Sequence, residues 1–141
     1  MQKSIFIILL TLISLKSFGC SCDFPNPIND SVYINNDLIV KGQIKQVDTL
    51  EENLLIHVKI LTNYKSTSTD SIIKILTPIG GSACGLNTKT NEIWLLFGYN
   101  YKESIHTNLC TRSQRLTNPK SIVYDKDILK GDLEFLEKNN K

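Results

Sequence analysis

The sequence Glu92-Ile93-Trp94-Leu95-Leu96-Phe97-Gly98-Tyr99 carries five large apolar residues in a row. A short continuous apolar run of this kind predicts a strand buried inside the fold. We therefore expect a central strand over Glu92–Tyr99. Within it, Trp94 and Phe97 are expected to belong to the core rather than to a ligand platform.

Segments on both sides of this run also predict strands. Leu38–Val47 alternates with a period of two, and Leu54–Leu61 places Leu54, Ile56, Val58 and Ile60 on one face. Ser71–Thr77 and Ser104–Cys110 are the other candidates. Between the strands, the sequence predicts a polar turn over Asp48–Asn53 and a loop over Thr62–Asp70. It also predicts a glycine-rich break over Pro78–Gly81.

Helical signals flank these strands. Pro27–Asn36 allows a short helix or turn, and the apolar spacing in Asp127–Glu137 predicts one face of a C-terminal helix despite Gly131. Five strands followed by a helix predict an all-β fold with flanking helices. The expected architecture is a closed or nearly closed five-stranded barrel of the oligonucleotide/oligosaccharide-binding (OB-fold) type with a C-terminal helix.

The first nineteen residues have the three-part pattern of an export signal. Lys3 is followed by the apolar run Ile5–Leu15, and the small residues Ser17 and Gly19 precede Cys20. Cleavage before Cys20 would leave residues 20–141 as one domain, exported to the medium, the periplasm or the cell envelope. Gly19-Cys20 also resembles the end of a lipoprotein signal, in which the Cys20 sulfur would be lipidated, and this alternative stays open.

Charge does not point to a polyanionic partner. Of the 16 basic residues, Lys3 and Lys16 fall in the expected signal, so the remainder balances the 14 acidic residues. No basic stripe is visible along the sequence, and nucleic acid is not a predicted partner. A membrane is expected only if Cys20 is lipidated.

All four cysteines, Cys20, Cys22, Cys84 and Cys110, lie after the expected signal. Export predicts paired thiols, and a Cys20–Cys22 bond would close a very small strained ring. Two long-range pairings therefore remain, each joining the new terminus to two distant points of the chain. A zinc site ranks below disulfides because the paired Cys-x₂-Cys knuckles of structural zinc domains are absent from the sequence.

The sequence does not predict an enzyme. His57 and His106 are the two histidines, and each is expected to be a strand residue rather than a ligand. Gly80-Gly81 lacks the partner residues of a phosphate loop. The acidic residues near the C-terminus are expected to form a solvated helix face: Asp125, Asp127, Asp132 and Glu134.

Several motifs, in their order, resemble the tissue inhibitors of metalloproteinases. Cys20-Ser21-Cys22 with Pro25 and Pro27, and then Asp37–Gly42, resemble the start of that family's N-terminal, netrin-like domain. Ser82-Ala83-Cys84-Gly85 resembles the loop with its second cysteine group. Trp94–Gly98 and then Leu109-Cys110 resemble the segment before the next cysteine. The resemblance covers nearly all of residues 20–141 and indicates a single-domain, bacterial-type homologue.

The resemblance implies both a cysteine pairing and a mechanism. The implied disulfides are Cys20–Cys84 and Cys22–Cys110. The α-amine and carbonyl oxygen of Cys20 would chelate the catalytic zinc of a target protease, so the protein needs no cofactor of its own. The residues implied to contact that metalloprotease are Cys20, Ser21, Cys22, Asp23, Phe24, Ser82 and Ala83.

The sequence departs from the family in two respects. The family's N-terminal domain normally has three disulfides, whereas this chain can form two, and the turn Asp48–Asn53 is short. A second class of function therefore stays open. This alternative is a netrin-like binding or interaction module of the cell envelope, lipidated or not at Cys20, that does not inhibit proteases.

Overall fold

The computed structural model describes residues 20, 22, 28–80, 83–117 and 126–140, and predictions for the remaining residues lie outside this part of the chain. The described elements, in chain order, are helix α1 (Asp30–Asn35), strands β1 (Leu38–Thr49), β2 (Asn53–Lys65), β3 (Ile72–Pro78), β4 (Ile93–Tyr101) and β5 (Ser104–His106), a 3₁₀ turn (Leu109–Thr111), strand β6 (Gln114–Arg115) and helix α2 (Lys126–Asn139). The fold is therefore mostly β, with a helix at its C-terminal end.

Strands β1 to β5 close into a barrel. β1 pairs antiparallel with β2, and β2 pairs antiparallel with β3. β3 runs parallel to β5, β5 pairs antiparallel with β4, and β4 returns antiparallel to β1. The order β1-β2-β3-β5-β4-β1 confirms the predicted closed five-stranded barrel with a flanking C-terminal helix.

The strand register defines the two ends of this barrel. The β1–β2 turn and the end of β3 lie together, since Asn53 pairs with Pro78, and β5 ends on the same side because it runs parallel to β3. The start of β1 and the ends of β2 and β4 lie at the opposite end, since Ile39 pairs with Lys65 and Leu38 with Gly98. The loops that carry Cys84 and Cys110 leave from the first of these ends.

Strand β4 is buried on both faces, which explains its continuous apolar sequence. Trp94 and Leu96 face the barrel interior with Val40, Ile44, Val58 and Ile75. Leu95 and Phe97 face outward into a second cluster with Ile39 and Leu136 of helix α2. Trp94 and Phe97 thus both belong to the core, as predicted.

Two strand predictions differ from the structure at their ends. β2 continues to Lys65, so the loop predicted over Thr62–Asp70 is wrong for its first four residues, which belong to the strand; Thr62, Asn63 and Lys65 pair with β1. The strand predicted over Ser104–Cys110 ends at His106, because Asn108 caps the 3₁₀ turn that follows. The two-residue strand β6 was not predicted, since so short a segment has no periodicity.

Glu92 joins the start of β4 to β6. Its carboxylate accepts hydrogen bonds from Trp94 Nε1, the Lys89 backbone N–H and Arg115 Nη1, each at 2.9 Å. Burial alone would raise the pKa of Glu92, but these hydrogen bonds and the Arg115 charge outweigh burial and leave that pKa lowered. The folded state therefore favours the ionised carboxylate.

The lowered pKa of Glu92 predicts a loss of stability in acid. Above the ordinary value of 4.5 the carboxylate is ionised whether the chain is folded or unfolded, and its full contribution is present. As the pH falls from 4.5 through the folded pKa, the unfolded chain binds the proton first, and the contribution disappears. Glu92→Gln should lower the free energy of unfolding in urea at pH 7, and the difference from wild type should shrink in acid. Glu51→Gln, in the exposed β1–β2 turn, is the control. A difference in unfolding free energy between Glu92→Gln and wild type that stays constant with pH would contradict the expectation.

Candidate functional site

Two disulfides fix the segment at Cys20 and Cys22. Cys20 is bonded to Cys84 and Cys22 to Cys110, with Cα–Cα distances of 5.5 Å and 5.1 Å. This pairing confirms the one implied by the resemblance and rules out the crossed alternative and the zinc site. The bonds span 64 and 88 residues, so each removes about 4 kcal/mol of chain entropy from the unfolded state in the loop-closure model. Cys20 and Cys22 are therefore each attached to a distant part of the chain.

The loop that carries Cys84 has a constrained backbone. Gly80 and Cys84 both have positive φ, at 85° and 61°. The Gly85 N–H donates to the Gly80 carbonyl at 3.0 Å, and a Cβ at Gly85 would overlap the Pro78 carbonyl oxygen. The Leu86 N–H donates to the buried Thr77 hydroxyl at 2.9 Å. Cys84 is therefore held against the end of β3.

The second anchor, Cys110, lies in the 3₁₀ turn. The Asn108 side chain accepts a hydrogen bond from the Cys110 N–H at 2.8 Å, and Thr111 Oγ1 accepts from the Asn108 N–H at 3.3 Å. This reciprocal arrangement is a capping box, which satisfies backbone donors at the start of the turn. The side chain of Asn108 thus fixes the position of Cys110 locally.

A backbone hydrogen bond joins the two anchors. The Leu109 N–H donates to the Cys84 carbonyl at 2.7 Å, and the Thr107 N–H donates to the Leu76 carbonyl of β3 at 2.8 Å. The partners of Cys20 and Cys22 therefore belong to adjoining, hydrogen-bonded segments. Movement of one anchor relative to the other would break these bonds.

Buried hydroxyl groups connect the Cys110 turn to the centre of β4. Thr107 Oγ1 donates to the Phe97 carbonyl at 2.8 Å, and the Phe97 N–H donates to Ser113 Oγ at 2.9 Å. The Thr107 and Ser113 hydroxyls lie 2.9 Å apart. Because both hydroxyls are buried and hydrogen-bonded, they stabilise this turn rather than destabilise the core.

A buried ion pair lies two residues after Cys110. Arg112 Nε and Nη2 donate to the two carboxylate oxygens of Asp132 on α2, both at 2.7 Å, and Gln114 Nε2 donates to the same carboxylate at 3.0 Å. The side chains of Arg112 and Asp132 are 2% and 0% exposed. The prediction that Asp132 belongs to a solvated helix face is therefore wrong. Its position three residues after Leu129 and four before Leu136 could have indicated the buried face.

The remaining predicted site residues divide into two groups. Ala83 is exposed and directly precedes Cys84, the partner of Cys20, while Cys20 and Cys22 are half-buried. Ser21, Asp23, Phe24, Ser82 and the expected export signal of residues 1–19 lie outside the described residues. The structure therefore brings together Cys20, Cys22 and Ala83.

The two histidines lie in strands β2 and β5. His57 Nε2 lies 2.9 Å from Asp48 Oδ2, and His106 packs between the rings of Tyr99 and Tyr101. Over the described ranges, no group of three or more His, Cys, Asp or Glu side chains could hold a metal ion. The cysteines of the site are all in disulfides.

Disulfide bonding indicates an oxidising compartment. In the part of the chain that the structure describes, no helix has both the length and the apolar character needed to cross a bilayer. A scan against protein-family models and a search of curated proteins both find no match to this chain.

Proposed function

We propose that this protein is an exported inhibitor of zinc metalloproteases that uses Cys20 as its zinc-binding terminus. The observation that carries the proposal is the attachment of Cys20 and Cys22 to Cys84 and Cys110, whose segments are joined by the hydrogen bond from the Leu109 N–H to the Cys84 carbonyl. Further support comes from the agreement between this pairing and the one implied by the resemblance to the tissue inhibitors of metalloproteinases.

The proposed chemistry uses backbone atoms of Cys20, because its sulfur is in a disulfide. After cleavage between Gly19 and Cys20, the α-amine nitrogen and the carbonyl oxygen would bind the protease's zinc together. A catalytic zinc has three protein ligands and an open position occupied by water. Displacing that water removes the nucleophile that the protease needs.

The protonation state of the amine governs this step. An α-amine must be neutral to bind a metal, and such amines ordinarily titrate near pH ~7.7–8.0. Zinc competes with the proton and favours the neutral form. Inhibition at neutral pH is thus chemically accessible.

The neighbouring residues would occupy the protease cleft on both sides of the zinc. Ser21 would enter the first primed pocket, with Cys22, Asp23 and Phe24 continuing along the primed side. Ser82 and Ala83 would fill the other side, since Cys84 holds that loop against the terminus. The disulfides lower the ordering cost of binding because the segment is fixed before it meets a protease.

The mass of the N-terminal peptide of the exported protein tests the premise of this proposal. We expect a peptide that begins at Cys20 with an unmodified amine, disulfide-bonded to the peptide that contains Cys84. An acyl chain on Cys20, or residues left before it, would contradict the inhibitor proposal. An acyl chain would instead support the envelope binding module with the same fold.

A further inference from the structure

Lysines from three strands gather on the outer face of the barrel. Lys41 and Lys45 lie on β1, Lys59 on β2 and Lys74 on β3. Successive residues of a strand point to opposite faces, and the alternate positions Gly42, Val58 and Ile73 are buried. Lys41, Lys59 and Lys74 therefore point away from the barrel interior, and Lys45 is exposed. We call the surface formed by Lys41, Lys45, Lys59 and Lys74 the basic face.

The strand register places these lysines close to one another on the barrel surface. Lys59 lies opposite Gln43 and Ile72, and Lys74 lies opposite His57. Lys45 lies at a bulge of β1, beside the pairs that Ile44 and Gln46 make with β2. Directly opposed residues have Cβ atoms about 5 Å apart and diagonal neighbours lie about 7–8 Å apart. The four ammonium groups thus share one side of a three-strand surface.

A negative charge, that of Asp48, lies next to the basic face. Asp48 accepts hydrogen bonds from Gln46 and His57. The hydrogen bond from Gln46 first, and then His57 and Lys74, hold the pKa of Asp48 below its ordinary value. A second negative charge, that of Glu137 on α2, lies near Tyr64 of β2. Among the described residues, none of the four lysines forms a salt bridge, so the basic face keeps an excess of positive charge.

Two large apolar side chains are exposed on the same surface. Ile72 is 50% exposed and lies directly opposite Lys59, and Leu61 is 46% exposed and follows Lys59 by two residues on β2. Helix α2 packs on the neighbouring cluster around Ile39 and Phe97. Ile72 and Leu61 therefore remain open to solvent beside the ammonium groups.

We propose that the basic face docks on an anionic lipid bilayer. Lys41, Lys45, Lys59 and Lys74 meet the headgroup phosphates, and Leu61 and Ile72 enter the boundary between headgroups and acyl chains. Surfaces that combine lysines with exposed apolar residues bind anionic membranes by these two contributions. An anionic polysaccharide in solution would match the lysines but would leave the apolar side chains without an apolar environment.

Vesicle co-sedimentation tests the charge contribution. The probes are vesicles of phosphatidylcholine alone and of an equal mixture with phosphatidylglycerol. The exported protein should bind the mixed vesicles only, and added salt should weaken binding. Lys59→Gln with Lys74→Gln should lower the partition coefficient about 30-fold, since each lysine near an anionic surface contributes about a factor of five. All variants keep the same N-terminus, so lipidation at Cys20 cannot account for a difference.

The control variant removes equal charge elsewhere. Lys130→Gln with Lys138→Gln changes two exposed lysines of α2. The partition coefficient of this variant should fall by less than about five-fold. Thermal unfolding checks that each variant is folded. Failure of the wild-type protein to bind mixed vesicles, or an equal loss in the control variant, would overturn the proposal.

Ile72→Ser separates a bilayer from a soluble polyanion. This change should weaken vesicle binding and leave retention on immobilised dextran sulfate unchanged. The alternative outcome has two parts: Ile72→Ser leaves vesicle binding unchanged, and Lys59→Gln with Lys74→Gln abolishes retention on dextran sulfate. In that case the partner is an anionic polysaccharide and the bilayer proposal is wrong. No protease enters these measurements, so their outcome is independent of the proposed inhibition.

Discussion

Adding one alanine before Cys20 is expected to abolish inhibition of a zinc metalloprotease while leaving the fold unchanged. The extension converts the Cys20 α-amine into an amide nitrogen, which has no lone pair available for zinc. It also moves the new amine away from the carbonyl that completes the chelate. We expect the inhibition constant to rise by at least about 1000-fold, which corresponds to about 4 kcal/mol of binding free energy.

The measurement is a titration of a zinc metalloprotease catalytic domain with the wild-type and extended proteins. Mass spectrometry confirms each N-terminus, and denaturant unfolding confirms that the fold is retained. The control inserts one alanine between Thr67 and Ser68, in the loop between β2 and β3 at the opposite end of the barrel. Equal inhibition by the extended protein would show that chelation by Cys20 is wrong. Inhibition lost in the control variant would assign the effect to insertion itself.

Asp132→Asn is expected to lower the free energy of unfolding by about 3–5 kcal/mol, because it removes the carboxylate charge that faces the buried Arg112 guanidinium. Asparagine has nearly the volume of aspartate, so a cavity does not contribute. A loss of this size is a large fraction of the about 5–15 kcal/mol by which domains are ordinarily stable. Urea unfolding with both disulfides intact measures it.

Two further variants identify the cause of this loss. Glu134→Gln changes a carboxylate on the same helix that is 67% exposed and 3.8 Å from Lys130, and we expect a change below about 0.5 kcal/mol. Arg112→Met combined with Asp132→Leu removes both charges and should recover most of the stability. A double variant as unstable as Asp132→Asn would show that the specific hydrogen bonds, rather than the lost attraction between the two charges, determine the effect.

The sequence predicted the elements whose pattern is local and periodic. The alternation in Leu38–Val47, the apolar run around Trp94 and the spacing in Asp127–Glu137 each indicated the element that the structure contains. The ends of β2 and β5 were less predictable. Lys65 continues its strand because Ile39 is available to pair with it, and His106 ends its strand because Asn108 caps a turn. Both outcomes depend on neighbours that a local pattern does not include.

The candidate site was only partly predictable, because it too depends on residues that lie far apart in the chain. Cysteine spacing left two long-range pairings open, and the resemblance selected the one that the structure has. The hydrogen bond from Leu109 to the Cys84 carbonyl and the pairing of Arg112 with Asp132 had no signal in the local sequence. The spacing of Asp132 from Leu129 and Leu136 could indicate its burial, but only the position of Arg112 in space makes the two a pair.

The sequence by itself determined the strands, the C-terminal helix and the close spacing of Cys20 and Cys22, because these follow from side-chain period and residue type. The tertiary structure alone decided which groups meet. It joined the two disulfide anchors through one backbone hydrogen bond, and it gathered Lys41, Lys59 and Lys74 from three strands onto one face. No basic stripe is visible along the sequence because barrel closure brings together residues that lie far apart in the chain, and charge acts through distance in space.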